Sequence, residues 1–261
     1  MTSNEDLIVE RLDGVCRLTL NRPEQKNAFT GQMALDIPRR LQAEIDAGAR
    51  AVILTGAGGS FCSGAALGGG SPDGKRIDAA EQIEKLYNPM ARFLADMPVP
   101  LVTAVEGAAA GAGASLALGG DIIVAGRSAY FLLSFARIGL VPDCGGTWLI
   151  TRAAGRVRAL QMALLADRMP ADEALAAGLV TEVVDDETVQ DRALELATRL
   201  ADMPTRTLAE IRRLVRTAIE SDFDTVLDAE RDCQGRMTKT RDFREGIAAF
   251  AEKRIPVFTG E

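Results

Sequence analysis

The chain contains no histidine in its 261 residues. This excludes Ser-His and Cys-His nucleophilic triads and removes the commonest metal ligand. Acid-base chemistry near neutral pH is left to carboxylates, lysines, tyrosines, cysteines or backbone dipoles. Cysteine is also sparse. Cys16, Cys62, Cys144 and Cys233 are far apart and form no C-x-x-C pair, which argues against a disulfide framework and against a zinc site. No apolar run approaches the roughly 18 residues that suggest a membrane span. The opening "MTSNEDLIVERL" has acids where a secretory leader has a basic n-region. The cytoplasm is therefore the default expectation, and no membrane partner is expected. A net charge of −7 leaves little excess cation to displace counterions from a phosphate backbone, so no nucleic-acid partner is expected either.

What is present is the composition of a globular domain, 47% apolar and 26% charged, in a chain long enough to bury a large core. Two β-rich runs in "LIVERLDGVCRLTL" flank Asp13-Gly14 and predict an opening hairpin. Residues 32–47 carry helical spacing through Met33, Ile37, Leu41 and Ile45, with Pro38 expected to kink or interrupt the helix. "AVILTG" at 51–56 and "LVTAVEG" at 101–107 read as short buried strands. The Gly-rich 68–75 reads as a mobile loop, a candidate lid or a solvated linker, before a helical pattern over 77–97. Beyond it the pattern predicts a tight helix in "GAGASLALGG", a strand in "DIIVAG", a helix over 147–154 and a late strand in "LVTEVV". From residue 186 onward three helical stretches follow, at 188–201, 205–220 and 223–238. The expected organisation is an α/β core over 1–200 and a helical region over 201–261.

Two small-residue corners share a physical logic. In "FCSGAAL", 61–67, the lack of bulk lets a backbone N–H approach a ligand closely. In "GAAAGAGASLAL", 107–118, a tight turn opens a helix whose first N–H groups have no internal partner. Singly, each is more often a packing device. Together they supply the donors that an oxyanion hole needs. Asp143, between Pro142 and Cys144-Gly145-Gly146, reads on its own as a helix cap.

The order of motifs says more. "NRPEQKNAF" (21–29), "GAGGSFCSGAAL" (56–67), "EGAAAGAGASLALGGDIIVAG" (106–126), "IGLVPDCGGTWLITRAAG" (138–155), "AGLVTEVV" (177–184) and the closing "AAFAEKRIPVF" (248–258) follow one another over nearly the whole chain. In this the chain resembles the crotonase, or enoyl-CoA hydratase/isomerase, superfamily, and most of all its phenylacetate-pathway and enoyl-CoA isomerases. The resemblance implies a ClpP-like spiral of strand-strand-helix repeats with a C-terminal helical trimerisation region. It implies an acyl-CoA thioester as substrate, no separate cofactor, since coenzyme A is part of that substrate, no metal, and a homotrimer or dimer of trimers. The implied oxyanion donors are the N–H groups of Ala65 and Ala112. Coenzyme A would be met by Lys26 and Ala28 and by the main chain near Cys62 and Gly64, with Phe250 and Lys253 of the last helix at its adenosine phosphate.

Departures from the family pattern direct the mechanism. The two glutamates that serve hydratases align with Ser115 and Phe135, neither of which can activate water. Ala66 stands where the family usually carries an aspartate. An acid at the "PD" corner is what the superfamily's isomerases use beside the acyl α-carbon, so the resemblance gives Asp143 the role of proton carrier. One base and one oxyanion hole suffice for a 1,3-proton shift. The following helix N-terminus should lower the Asp143 pKa and an apolar frame of Ile138, Leu140 and Val141 should raise it. Three alternatives stay open here: weak hydration, acyl-CoA binding without turnover, and aryl-CoA dehalogenation, which elsewhere enlists the histidine this chain lacks. Trp148 and Tyr130 read as packing residues, with Trp148 close enough in sequence to Asp143 to line a pocket. Glu106 reads as a structural acceptor.

Overall fold

The computed structural model describes residues 5–66 and 78–261, so the Gly-rich 68–75 lies outside the described residues. Asp13 and Gly14, both left-handed at φ 44° and 78°, turn β1 (Leu7–Leu12) back along β2 (Val15–Leu20), as the Asp-Gly pair predicts. α1 (Gly31–Asp46) follows, capped by the Thr30 side chain on the Met33 N–H. It runs through Pro38 without interruption. The buried stripe of Met33, Ala34, Ile37 and Leu41 holds the helix together where proline removes one donor.

β3 (Ala51–Gly56) and β4 (Leu101–Val105) are the two apolar runs. Between them stand α2 (Ala79–Gln82), a π-helical turn at Ile83–Tyr87 and α3 (Asn88–Asp96). β5 (Ala108–Ala110), α4 (Ala112–Leu118), β6 (Ile122–Gly126) and β7 (Tyr130–Leu132) come next. α5 (Gly146–Leu160) breaks its own geometry at Gly155, then β8 (Met169–Pro170), α6 (Ala171–Ala176) and β9 (Glu182–Val184) close the mixed part. Four helices end the chain: α7 (Val189–Ala201), α8 (Thr205–Glu220), α9 (Phe223–Met237) and α10 (Arg241–Glu252).

Six strands form one sheet in the order β1-β2-β3-β4-β6-β9, parallel except for the opening hairpin. Both faces are covered, which is why β3 is apolar at every residue but Thr55 and its closing Gly56. Val52 and Leu54 face the main core with Leu18, Leu20 and Phe61. Ala51 and Ile53 face the other way, onto Val189, Ala193 and Ala197 of α7. A second, three-stranded sheet, β5-β7-β8, stands apart from the first. Its strands of two or three residues carry no readable alternation, and the sequence pattern does not predict it.

Two arginines dock the helical end. Arg50 donates to Thr205 Oγ1 and to the Met203 and Phe258 carbonyls. Arg212 of α8 donates to the Leu94 and Met97 carbonyls at the end of α3 and pairs with Asp121 at 2.6 Å. α8 is thereby held beside α3, where the cavity described next is found. Among the described residues no helix is long and apolar enough to cross a membrane.

Candidate active site

The two small-residue corners meet. The 61–65 segment is drawn between two neighbours by single bridges, Cys62 with Ala109 of β5 and Phe29 with Ala65. The Cys62 N–H donates to Ala108, the Ala110 N–H donates back to Cys62, and the Phe29 N–H donates to Gly64. Gly64 sits at φ 106°, and a Cβ there would stand 3.0 Å from the Ala110 carbonyl oxygen and 3.5 Å from the Ala112 nitrogen. Only glycine allows the backbone of one corner so near the first residue of α4. The N–H of Ala65 follows that glycine, and the N–H of Ala112 opens α4. Among the described residues neither donates to any acceptor. Two free donors therefore lie on abutting loops.

The loop proposed to meet coenzyme A is stitched to the same corner. Asn27, fully buried, donates to the Ala57 and Ser60 carbonyls and accepts the Arg22 N–H. The Lys26 carbonyl takes the Ser63 N–H, and the Ala28 carbonyl takes the Arg22 guanidinium. Lys26, Ala28, Cys62 and Gly64 thus lie on loops bonded to one another, none of them lining the cavity described below, and the main-chain groups of Cys62 are used internally. Phe250 and Lys253 are elsewhere, at the end of α10. The Phe250 ring is 84% exposed, and neither residue lines the cavity beside the corner.

Asp143 lies just ahead of α5. The cap expected from sequence is not made: the N-cap is Gly145, in left-handed geometry, with no side-chain hydrogen bond to the helix. It is the Asp143 carbonyl that turns the chain, accepting the Gly146 N–H at 3.0 Å and the Ser115 hydroxyl at 2.9 Å. Ser115, 2% exposed on α4, touches the helix whose first residue is Ala112, so one side chain links the acid's loop to the second free N–H. A Cβ on Gly146 would come within 2.3 Å of the Ser115 hydroxyl. Position 146 therefore has room only for glycine while Ser115 packs on it. Phe135, the other aligned position, is buried in the core.

The Asp143 carboxyl is half-buried, and its Oδ1 is sealed from solvent with no hydrogen-bond partner. Burial raises its pKa above the usual carboxylate range, and the adjacent Cys144 thiol pulls more weakly the other way. Of the two opposed effects expected, burial wins, but by other walls. Ile138, Leu140 and Val141 are exposed, Val141 to 79%. The burying neighbours include Tyr87 and Cys144. Burial and then the Asp143 charge raise the Tyr87 hydroxyl, and the same two causes raise the Cys144 thiol. The Cys62 thiol is pushed up by burial to about 12. Both site thiols thus stay protonated and are poor nucleophiles.

Tyr87 is absent from the sequence-based candidates. It falls on the stripe of Ile83, Tyr87, Met90 and Leu94, which reads as core, and its ring does pack edge-on against Phe29 at 5.5 Å. The one available signal is its place at the end of a π-helical turn, a distortion frequent at functional sites. Tyr130 stacks under the Arg168 guanidinium, a packing role as expected. The Glu106 carbonyl takes the Phe61 N–H and its carboxylate takes Gln190, a structural acceptor as expected.

A cavity of about 330 Å³ opens beside Ser115 and Cys144. Leu94, Leu116, Trp148 and Leu149 give it apolar walls, and Arg92, Arg216 and Glu220 supply its charge. Arg216 is already paired with Asp96 at 2.6 Å. Among the described residues no group of three acids, cysteines or histidines could hold a metal ion. Asp143, Ala65 and Ala112 do not themselves line this cavity; Ser115 and Cys144, which do, join it to the loop of the acid and to α4.

Known proteins share this frame. Residues 10–261 match the family described as Enoyl-CoA hydratase/isomerase. The 1,2-epoxyphenylacetyl-CoA isomerase of Escherichia coli K12 is 47% identical over 251 residues, 95% of this chain and 96% of that one. A protein named probable enoyl-CoA hydratase from Rhodobacter capsulatus is 40% identical over 248 residues, 95% of both chains. The crystal structure of an enoyl-CoA hydratase from Polaromonas sp. JS666 superposes with a TM-score of 0.88 at 32% identity, over 97% of this chain and 99% of that one. A match that runs from β1 to the last residue, with the same spiral of strands and helices, has one reading: the chain belongs to the enoyl-CoA hydratase/isomerase family and has the crotonase fold.

Proposed function

We propose that this enzyme is an acyl-CoA isomerase that shifts a double bond, or rearranges an activated ring, through Asp143 and the N–H groups of Ala65 and Ala112. The observation that carries the reading is the buried Oδ1 of Asp143, which has no hydrogen-bond partner among the described residues and whose neighbours Ser115 and Cys144 line the cavity. A structural acid would cap a helix or pair with a cation; this one has only the adjacent Cys144 thiol. The 47% identity to an isomerase supports the same choice over hydration.

In this scheme a 3-enoyl thioester lies with its carbonyl oxygen at the two donors. The Asp143 carboxylate takes a proton from C2, and the electron pair moves onto the thioester oxygen as a dienolate. The Ala65 and Ala112 N–H groups stabilise that charge. The same carboxyl then returns the proton to C4, leaving the double bond between C2 and C3. A carboxyl with a raised pKa is the stronger base for the first step and still a competent acid for the second. Lys26, Ala28 and the main chain near Cys62 and Gly64 hold the coenzyme A side, and Phe250 and Lys253 reach its adenosine phosphate from the last helix of a neighbouring subunit.

The test is absorbance of the conjugated enoyl thioester. With a 3-enoyl-CoA the absorbance should rise, and Asp143→Asn should lower that rate about 10²- to 10⁴-fold, the usual contribution of one acid-base group, while CoA-ester binding persists. An Asp143→Asn protein of undiminished rate ends the proposal. A fall in absorbance with a 2-enoyl-CoA would show water being added and would favour hydration.

A further inference from the structure

The chamber beside Asp143 has a neighbour. A second cavity, of about 420 Å³, is lined by Leu118, Ile123, Leu179, Val180 and Ile219 on one hand and by Asp121, Arg152 and Thr181 on the other. Trp148 and Leu149 line both. The two cavities lie between the same three elements: the end of α4, where Leu116 and Gly119 face one and Leu118 and Gly120 the other, the first turn of α5, and the last turns of α8, where Arg216 and Glu220 face one and Ile219 the other. Of the two side chains that line both, Trp148 is the larger.

Trp148 is not fixed as a core residue would be. It is 37% exposed, no hydrogen bond to its indole N–H is found among the described residues, and it sits two residues beyond the buried Gly146 that packs on Ser115. The first cavity alone is more than twice the size of the roughly 150 Å³ apolar cavity that takes a benzene. It has room for an aryl or medium-length acyl group. A longer chain would need the second cavity, which Trp148 also lines.

From this shared wall we propose that Trp148 is the specificity-determining residue of the acyl pocket, ending it after an aryl or medium-chain group and shutting off the second cavity, along whose Leu118, Ile123, Leu179, Val180 and Ile219 side longer chains would otherwise extend. The inference rests on the acyl-CoA reading above. It names a residue outside the acid and the two donors, and it needs no movement of either.

The chain reports on the idea by itself, because Trp148 is its only tryptophan. The purified protein would be titrated with coenzyme A, phenylacetyl-CoA, octanoyl-CoA and dodecanoyl-CoA, following tryptophan emission and, in parallel, heat of binding. Phenylacetyl- and octanoyl-CoA are expected to shift the emission, and coenzyme A alone is not. Dodecanoyl-CoA is expected to bind about tenfold or more weakly than octanoyl-CoA, the scale on which a hydrophobic pocket discriminates. Trp148→Ala should erase that difference, and Trp148→Phe, which keeps an aromatic wall and guards against a folding defect, should retain part of it. Octanoyl-CoA that binds by heat without moving the emission overturns the inference. So does a Trp148→Ala protein with the parent's ratio between chain lengths. If no acyl-CoA binds at all, the acyl-CoA reading falls and this inference with it, whereas loss of isomerisation with intact binding touches only the role of Asp143.

Discussion

Two acid-thiol pairs occur in this chain, and they have opposite fates. Glu210 of α8 accepts from the Cys233 thiol at 3.0 Å, from Arg213 at 2.7 Å and from Arg236 at 2.9 Å. That company, the thiol foremost and then the two guanidinium groups, holds its pKa down to about 2. Asp143 has the Cys144 thiol too, but no cation lies among the causes of its shift, and burial drives the pKa up. The comparison separates a quenched carboxylate from a poised one. A thiol neighbour does not decide reactivity; the presence or absence of a charge partner does.

The comparison breaks most visibly through Ser115. Its hydroxyl on the Asp143 carbonyl is the only side-chain link from α4 to the acid's loop among the described residues, whereas Glu210 has three side chains holding it. Ser115→Ala removes that link without touching the carboxyl. The Gly146 N–H still satisfies the carbonyl, so the loss of stability should stay near 1 kcal/mol. Because a small misplacement of a reacting group is expensive in rate, kcat is expected to fall about tenfold or more, with KM and acyl-CoA affinity nearly unchanged. A parallel rise in KM, or an unaltered kcat, would show that Ser115 does not position the acid.

Asp143 itself sharpens the contrast through stability. A carboxyl whose folded pKa lies above its unfolded one favours folding in its protonated form. Its contribution is fully present below the unfolded pKa and is lost as pH rises through the raised, folded value. At neutral pH the charged Asp143 therefore weakens the fold. Asp143→Asn, which stays neutral, should melt higher than the parent at pH 8, and the gap should close as the buffer is taken below the usual carboxylate range. Equal melting temperatures at pH 8 would mean that the carboxyl is better solvated than its sealed Oδ1 indicates.

How much of this was legible in the sequence depends on the length scale of the signal. Asp13-Gly14, the apolar run of β3 and the helix 205–220 announce themselves, because turn chemistry and hydrophobic period span enough residues to be read. The small sheet does not, since three consecutive alanines at 108–110 fit a strand, a turn or a helix equally well. Local propensity predicts that Pro38 kinks or interrupts its helix, and the interruption is absent because Ile37 and Leu41 are packed on either side of it. Motif order proposes Ala65, Ala112 and Asp143, but that the acid caps no helix shows only in the fold. The same limit explains Ile138, Leu140 and Val141: apolar residues beside an acid in sequence were expected to bury it, but the turn at Gly139 carries them outward and leaves the task to Tyr87, some sixty positions earlier. Burial of a charge is a property of long-range contacts, and sequence patterns carry it poorly.

The smallest expected effect lies on the quenched side. Glu210 has a depressed pKa, so its contribution to stability is present above the unfolded carboxyl pKa and is lost as pH falls toward about 2. At pH 7 Glu210→Gln gives up the pairing with Arg213 and Arg236, whose guanidinium groups remain about half exposed at 51% and 47%. Solvent therefore takes over much of the lost interaction, and the cost should be about 1 kcal/mol or less. Catalysis should not change, because the Glu210 cluster lies outside the chamber beside Asp143. The informative signature is in pH: the stability difference between the parent and Glu210→Gln should hold from pH 7 down to about pH 5 and shrink as pH falls through the unfolded carboxyl pKa toward about 2, whereas the difference between the parent and Asp143→Asn should move in the opposite sense as pH falls from 8. Urea melts across that range compare the two acids directly. Curves of the same sign for both substitutions would undo the division between a poised and a quenched carboxylate.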